Sequence, residues 1–452
     1  MCVPPFNPEA AHALMPKNNQ LTTSTESPWP VALAGMVALA VAMGIGRFAF
    51  TPLLPMMLTD GVIDLPHASW LASANYLGYL VGALLCTFQP WIWARLPFLP
   101  LLAFSSLVRA GLLATGVLTL AMAWQMQAAW PLLRFAAGIT SAVVFVFTSG
   151  WCLSQLAKRG VPEMGGVIYM GPGAGILVSG LFASGMVAWH WTAASGWLIF
   201  GTLAFMLTAS SWKILRGGDE RLAARSARAI ESRQVAASPG RAEIGLLTFA
   251  YGLAGFGYII TATFLPVIAR AALPGSGWLD LFWPLFGFGI MVGALVATKI
   301  SAGFDRRRLL AACYFMQALG ISIPLLSPSL AGFALGSLLL GLPFTAITFF
   351  AMQEVRRLRP AAPASFMGLL TAMYGMGQII GPPLVALMLR HSRSTGEGFT
   401  LSLVIAAASL LVGSVLYAWM ARAYAVATAP APEPAPASAP GAARPVTRRK
   451  KA

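Results

Sequence analysis

Three arginines, Arg47, Arg109 and Arg134, sit within long apolar runs whose interiors contain no Asp or Glu. A guanidinium at the centre of a membrane span costs at least about 2.5 to 3.5 kcal/mol, so each is expected to face a wet cavity or a partner. Asp280 and Glu354 come nearest to serving, each at the end of an apolar run. A small anion is therefore a natural partner, because the planar fork of Arg offers a carboxylate two parallel hydrogen bonds. Arg47 is read as an anion contact or gate; the alternative is an arginine that bonds the carbonyls of a neighbouring helix and only fixes packing. Arg109, near the middle of its run, faces either a neighbour or lipid. Arg134 lies within about a turn of the end of its run and can snorkel toward the interface.

Neutral polar side chains extend the candidate binding set. Asn75, Tyr79 and Gly82 fall at i, i+4 and i+7 and share one helix face. Tyr258, Tyr374 and Gln378 offer hydrogen-bond donors without charge, as does Tyr169, and Gln317 holds in the ninth run a place comparable to that of Arg109 in the third. Gly44 and Gly46 with Pro52 and Pro55 are expected to loosen the first helix and free backbone groups to line a cavity. Gly171-Pro172 and Gly381-Pro382 read as helix bends. The four cysteines, Cys2, Cys86, Cys152 and Cys313, show no C-x-x-C spacing, and no H-E-x-x-H or paired acids occur inside the runs. No catalytic residue, metal or cofactor is expected.

What must position these residues is set by composition. Of 452 residues, 58% are hydrophobic and 10% charged, where a soluble domain carries about 25% charge. That balance excludes a soluble enzyme, a secreted disulfide scaffold and a disordered regulator. Apolar stretches long enough to cross a bilayer cover 30–58, 69–88, 98–121, 129–152, 165–188 and 192–212, then 244–267, 279–301, 309–326, 330–353, 366–389 and 399–422. The expected fold is an all-α integral membrane protein of twelve spans.

The net charge of +16 has a topological reading, since short cytoplasmic loops hold an excess of Lys and Arg. Of 30 Lys and Arg, Arg47, Arg109 and Arg134 lie inside spans and Arg270, Arg390 and Arg393 on one side; all the others fall on the side of the two termini. Both termini are thus expected in the cytoplasm, and nucleic acid is not an expected partner. Tryptophans at span ends, among them Trp29, Trp70, Trp124, Trp130, Trp212 and Trp278, read as interfacial anchors.

The chain also repeats itself. Gly44-Ile45-Gly46-Arg47 with Leu54-Pro55 returns as Gly255-Phe256-Gly257-Tyr258 with Leu265-Pro266, a displacement of 211 that places Tyr258 opposite Arg47. Gly78-x-x-Val81-Gly82-Ala83-Leu84 returns at the same offset as Gly289-x-x-Val292-Gly293-Ala294-Leu295. Two pseudo-symmetric six-helix bundles follow, 30–212 and 244–422, joined by an Arg-rich linker 213–243 and flanked by tails 1–29 and 423–452 that are expected to be disordered.

Six spans plus six, the basic central loop, Arg134-x-x-x-Gly138-x-x-x-Ala142 and Gly171-Pro172-Gly173-Ala174-Gly175 resemble the major facilitator superfamily over about residues 30–422. Gly44-Ile45-Gly46-Arg47-Phe48-Ala49-Phe50-Thr51-Pro52-Leu53-Leu54-Pro55 is similar to the first-helix signature of its uncharacterised bacterial YbfB/YjiJ-like branch. The resemblance implies alternating access around a midplane cavity, with Arg134 and Gly138 in structural or proton-linked roles. It departs from the superfamily after the second span, where Cys86 stands in place of an Asp; only Asp305-Arg306-Arg307-Arg308 keeps a basic cluster. The expected function is secondary active transport of a small organic anion across the bacterial inner membrane by a monomer, with a proton or other ion as coupling partner and lipid around it. The alternative is a drug or amphiphile exporter coupled to protons, pointed to by 11% aromatic residues and 20 Met.

Overall fold

The structure is a computed structural model, described here for residues 27–95, 103–124, 126–216, 241–300, 303–358 and 363–424. Among these, twelve helices are long and apolar enough to cross a membrane. They are α1 (Trp29–Thr59), α2 (Leu65–Gln89), α3 (Phe104–Ala121), α4 (Gln127–Lys158), α5 (Gly165–Ala188), α6 (Ala193–Ser211), α7 (Ala242–Ala272), α8 (Leu279–Lys299), α9 (Arg306–Leu326), α10 (Leu330–Leu358), α11 (Phe366–His391) and α12 (Thr395–Ala423). In hydrocarbon every backbone N–H and C=O must be bonded within the protein, and a helix does this inside one segment. The expected start of the third span, 98–102, most of the linker and most of both tails lie outside the described residues.

Burial sorts the helices. In α1 and α7, 83% of the most apolar window is buried inside the protein, against 39%, 39%, 33%, 39% and 39% in α3, α6, α9, α11 and α12. The first pair therefore forms the centre; α3, α6, α9 and α12 are peripheral, whereas α11 is little covered yet reaches the centre through Gln378. Successive spans alternate in direction, so one end of the bundle carries 216, 241 and 424, called here the linker side, and the opposite end is the far side.

The glycine repeat has a packing reason. Gly78 and Gly82 lie against the backbone carbonyls of Phe135 and Ile139, so that α2 and α4 cross with no room for a Cβ; Gly138 meets the Asn75 carbonyl from the other side. Gly289 and Gly293 make the same crossing of α8 on α10, against the carbonyls of Leu338 and Leu342. The halves meet along two seams. Ser73 Oγ donates to the Ile379 carbonyl at 3.1 Å between α2 and α11, and Ser184 Oγ donates to the Asp280 carbonyl at 3.0 Å where α5 meets the start of α8. Between α1 and α7, Thr51 Oγ1 donates to the Ala262 carbonyl at 2.9 Å, and the two residues are 211 apart. A bond between positions equivalent in the repeat places the pseudo-twofold axis beside it.

Trp29, Trp70, Trp124, Trp189, Trp191, Trp278 and Trp419 are exposed at span ends, as interfacial anchors are. Trp130 is a correction: it is buried, and its indole N–H donates to the Trp124 carbonyl at 3.1 Å.

Candidate functional site

The site begins with a fault in α1. The helix is regular over Trp29–Leu39, widens to π-helical winding over Ala40–Arg47 and resumes its α form at Phe50–Thr59. Wide turns of this kind mark functional positions in many helices. Here Phe48 N reaches back to the Met43 carbonyl at 3.0 Å and Thr51 N takes the Phe48 carbonyl at 3.1 Å. Pro52 has no N–H to offer. The Gly46 and Arg47 carbonyls instead accept from the Arg134 guanidinium, at 3.4 Å from Nη1 and 3.0 Å from Nη2.

Arg134 therefore points inward, 2% exposed, and does not snorkel. Carbonyls freed by the helix break in the protein interior outbid the distant interface, because an unsatisfied buried carbonyl costs about 1 to 3 kcal/mol. The packing role set out above as the alternative for Arg47 belongs to Arg134. Asn75, entirely buried, donates through Nδ2 to the Arg134 carbonyl at 2.9 Å and so joins α2 to α4, while its Oδ1 has no partner among the described residues.

Arg47 has a different surrounding. Its Nη2 donates to Gln378 Oε1 at 2.5 Å, and Gln378 Nε2 donates to Tyr258 Oη at 2.5 Å. Arg47 and its repeat counterpart Tyr258 are thus joined through a side chain of α11. The Arg47 guanidinium carbon lies 3.9 Å from the Tyr79 ring centre, 5.2 Å from that of Tyr76 and 5.4 Å from that of Phe48. Arg47 is 2% exposed and its Nε has no acceptor among the described residues. Tyr374 stacks on Tyr258 at 5.8 Å and lies 4.9 Å from Tyr251, and Phe344 meets Tyr258 edge-on at 5.0 Å. The result is the Arg47 charge in an aromatic box, with the Arg134 guanidinium on the α1 backbone beside it, suited to an anion on a flat apolar body.

Of the binding candidates, Arg47, Tyr79, Tyr258, Tyr374 and Gln378 come together. Arg109 does not. α3 starts at Phe104, so Arg109 lies in its second turn, with Nε on the Ser105 carbonyl at 3.3 Å and its guanidinium 5.1 Å from the Trp212 ring on the linker side. Gln317 is buried and donates to the Leu340 carbonyl at 3.3 Å, joining α9 to α10. Glu354 pairs with Arg307 at 2.7 Å and with Arg357 at 2.6 Å; Arg307 also binds Glu243 and the Tyr424 carbonyl, a knot that ties α7, α9, α10 and the end of α12 on the linker side.

The gating candidates hold backbone crossings. Gly44 rests on Gly175 of α5, Gly46 faces Thr115 and Ser141, and Gly171 meets the Met36 carbonyl. Pro52 and Pro55 are buried in the far-side segment of α1. The two Gly-Pro pairs are not equivalent. Pro172 opens the long segment Gly171–Ala188 after a break at Met170, whereas Pro382 lies inside an unbroken α11 and Gly381 packs on Ile259.

Tyr76 was not legible as a site residue. Its hydroxyl shares a 2.8 Å hydrogen bond with Thr263 Oγ1 across the halves, beside the Thr51 contact. Its spacing of i, i+3 from Tyr79 was the available signal. Tyr251 was missed too, at i, i+7 from Tyr258. On the far side of this layer α1 packs on α7 through Thr51 and Ala262, and on α8 through Phe48, which meets Trp283 edge-on at 6.1 Å. On the linker side Tyr79, Tyr169 and Tyr374 are only half-buried. Among the described residues no three His, Cys, Asp or Glu converge to hold a metal ion.

Residues 39–418 match the family described as "Uncharacterised MFS-type transporter YbfB". The chain is 27% identical over 404 residues to a "Chloramphenicol resistance protein" of Streptomyces lividans, covering 85% of this chain and 95% of that one. Among solved structures it is similar to a D-xylose-proton symporter, with a TM-score of 0.65 at 12% identity over 86% of this chain and 97% of that one. It is also similar to a nucleoside transporter, with a TM-score of 0.62 at 13% identity over 86% and 99%. At such identities the two structures speak for the shared fold of two six-helix bundles. With that fold, an arginine box where the bundles meet and a family match over most of its length, the chain belongs to the YbfB-like family of MFS-type transporters and is not an enzyme.

Proposed function

We propose that the protein is a secondary active carrier of a small organic monoanion with a planar or aromatic body, seated on Arg47 between Tyr79, Tyr258 and Tyr374. The observation that carries this reading is the buried Arg47 charge, which no carboxylate among the described residues neutralises. An isolated buried charge is expensive, and a carboxylate offering two oxygens would satisfy both the charge and the orphaned Nε. Carriage follows from the family, by rocking of one bundle against the other. The carrier would sit in the bacterial inner membrane, and the placement of Lys and Arg supports both termini in the cytoplasm. A coupled proton finds no carboxylate in mid-membrane among the described residues, so it would travel on the substrate acid itself.

The test is a thermal-shift and equilibrium-binding screen of the purified protein against aromatic and aliphatic monocarboxylates, each beside its neutral amide. Acids are expected to stabilise the protein and amides to do so weakly. Arg47→Ala should abolish the acid effect while Arg109→Ala, far from the box, leaves it intact; acid binding that survives Arg47→Ala would sink the reading. A second reading, export of a neutral aromatic drug, is favoured by the Streptomyces relative. It predicts that overproducing cells survive raised chloramphenicol, and a growth assay that shows no protection removes it.

A further inference from the structure

Gln378 is 1% exposed and holds both of its hydrogen bonds at once, accepting from Arg47 of α1 and donating to Tyr258 of α7. Its amide is neutral. It satisfies one of the five guanidinium donors and leaves the charge intact, with Nε still without an acceptor. The bond to Gln378 is charge-assisted on the donor side alone; a carboxylate oxygen in the place of Oε1 would make the same contact, add the attraction of the opposite charge and bring a second oxygen for a bidentate pair. The amide is thus the weaker occupant of a seat shaped for an anion.

The seat also bears on motion. Arg47 lies nearer the far-side end of α1, at Thr59, than its linker-side end, at Trp29, and Gln378 lies near the middle of α11. A bond between the halves at that height is stretched when the far side opens, so it belongs to the far-closed state. From these observations the geometry points to Gln378 as the residue that sets charge selectivity. In the empty carrier its amide oxygen keeps the place of the substrate's anionic oxygen on Arg47. An arriving anion displaces it and in the same step releases the strap that joins α1, α11 and α7. This rests on the anion reading above for the charge of the solute, and adds to it a selecting residue and a consequence of binding. A carboxylate built in at this position fills the seat permanently, so Gln378→Glu rejects anions, whereas Gln378→Leu leaves Arg47 free and the strap undone.

The experiment reads the far-side separation of the halves by double electron–electron resonance. Nitroxides are placed at the exposed positions Gln127→Cys and Arg393→Cys, with the native cysteines replaced by Ser, in lipid nanodiscs. Without ligand, Gln378→Leu is expected to raise the ratio of far-open to far-closed molecules roughly tenfold or more, the loss of a charge-assisted bond. Gln378→Asn, too short to hold both partners but still polar, should move it the same way and stands in if the leucine variant does not fold. Sodium benzoate, the probe anion, should shift the wild type in that direction and leave Gln378→Glu unmoved, and neutral benzamide should move neither. Leucine and asparagine variants with the wild-type distribution overturn the proposal, even if benzoate binding through Arg47 persists. So does benzoate acting on Gln378→Glu as it does on the wild type. Variants that open while benzoate leaves the wild type unchanged uphold the strap and count against the anion reading instead.

Discussion

Arg47 and Arg134 carry the same group at the same burial, and their partners separate their roles. Arg134 has two backbone carbonyls of α1 as acceptors, so its removal strands both. Arg47 has one neutral amide as its acceptor, and Nε lacks a partner among the described residues in both arginines, so what differs is what each removal strands: two main-chain carbonyls for Arg134, one side-chain amide oxygen for Arg47. Stability and function are therefore expected to part company at these two positions. Arg134→Met should lower the unfolding free energy by about 2 to 4 kcal/mol through the stranded carbonyls. Arg47→Met should cost at least about 1.5 kcal/mol less, because it strands one side-chain amide oxygen where Arg134→Met strands two main-chain carbonyls, and yet it should end acid binding. Tryptophan-fluorescence melts of both variants in one detergent decide the matter; an equal loss in both would show that Arg47 is also a packing residue. The sequence made both arginines visible as unpaired intramembrane charges. It hid which one clamps α1, because the acceptors are carbonyls exposed by a helix break about ninety residues away and a carbonyl has no sequence signature.

At the level of elements, legibility followed the kind of constraint. Span number and the paired glycines of α2 and α8 could be read because hydropathy and the close crossing of two backbones each leave residue types at fixed spacing. The height of Arg109 could not, since its apolar run was counted from residue 98 whereas α3 is described from Phe104, which moves the charge toward the linker side. Nor could the difference between Gly171-Pro172 and Gly381-Pro382: a Gly-Pro pair is compatible both with a break and with a continuous helix whose neighbours absorb the missing N–H. The glycine reading gives a graded prediction. Gly293 lies so close to the Leu342 carbonyl that a methyl group must push α8 off α10, whereas a Cβ at Gly150, in α4, meets nothing within 4 Å. Gly293→Ala should therefore cost roughly 1 to 3 kcal/mol by overpacking, and Gly150→Ala should be neutral or stabilise by up to about 1 kcal/mol through helix propensity. Chemical unfolding of the two variants side by side tests it, and a Gly293→Ala protein as stable as the wild type would mean that the crossing can relax.

On the scale of the whole molecule, the pieces describe one stage of a cycle. Thr51 meets Ala262 and Tyr76 meets Thr263 across the halves on the far side of the Arg47 layer, while Tyr79, Tyr169 and Tyr374 keep partial exposure on the linker side. The far side is therefore shut. The contact between Thr51 and Ala262 joins equivalent positions of the two repeats, next to the axis about which the halves are related, and bundles that rock about the mid-membrane layer must part there when the far side opens. A covalent link at this point should consequently stop turnover without disturbing the resting fold. In a background free of native cysteines, Thr51→Cys with Ala262→Cys is expected to form a disulfide in high yield under mild oxidation, because the chains already touch. The oxidised carrier, reconstituted in proteoliposomes, should exchange substrate at under a tenth of the reduced rate and recover on reduction, and its melting temperature should not fall. Oxidised protein that transports at the reduced rate would show that the far side opens elsewhere, leaving the α1–α7 contact as a fixed hinge about which the bundles turn.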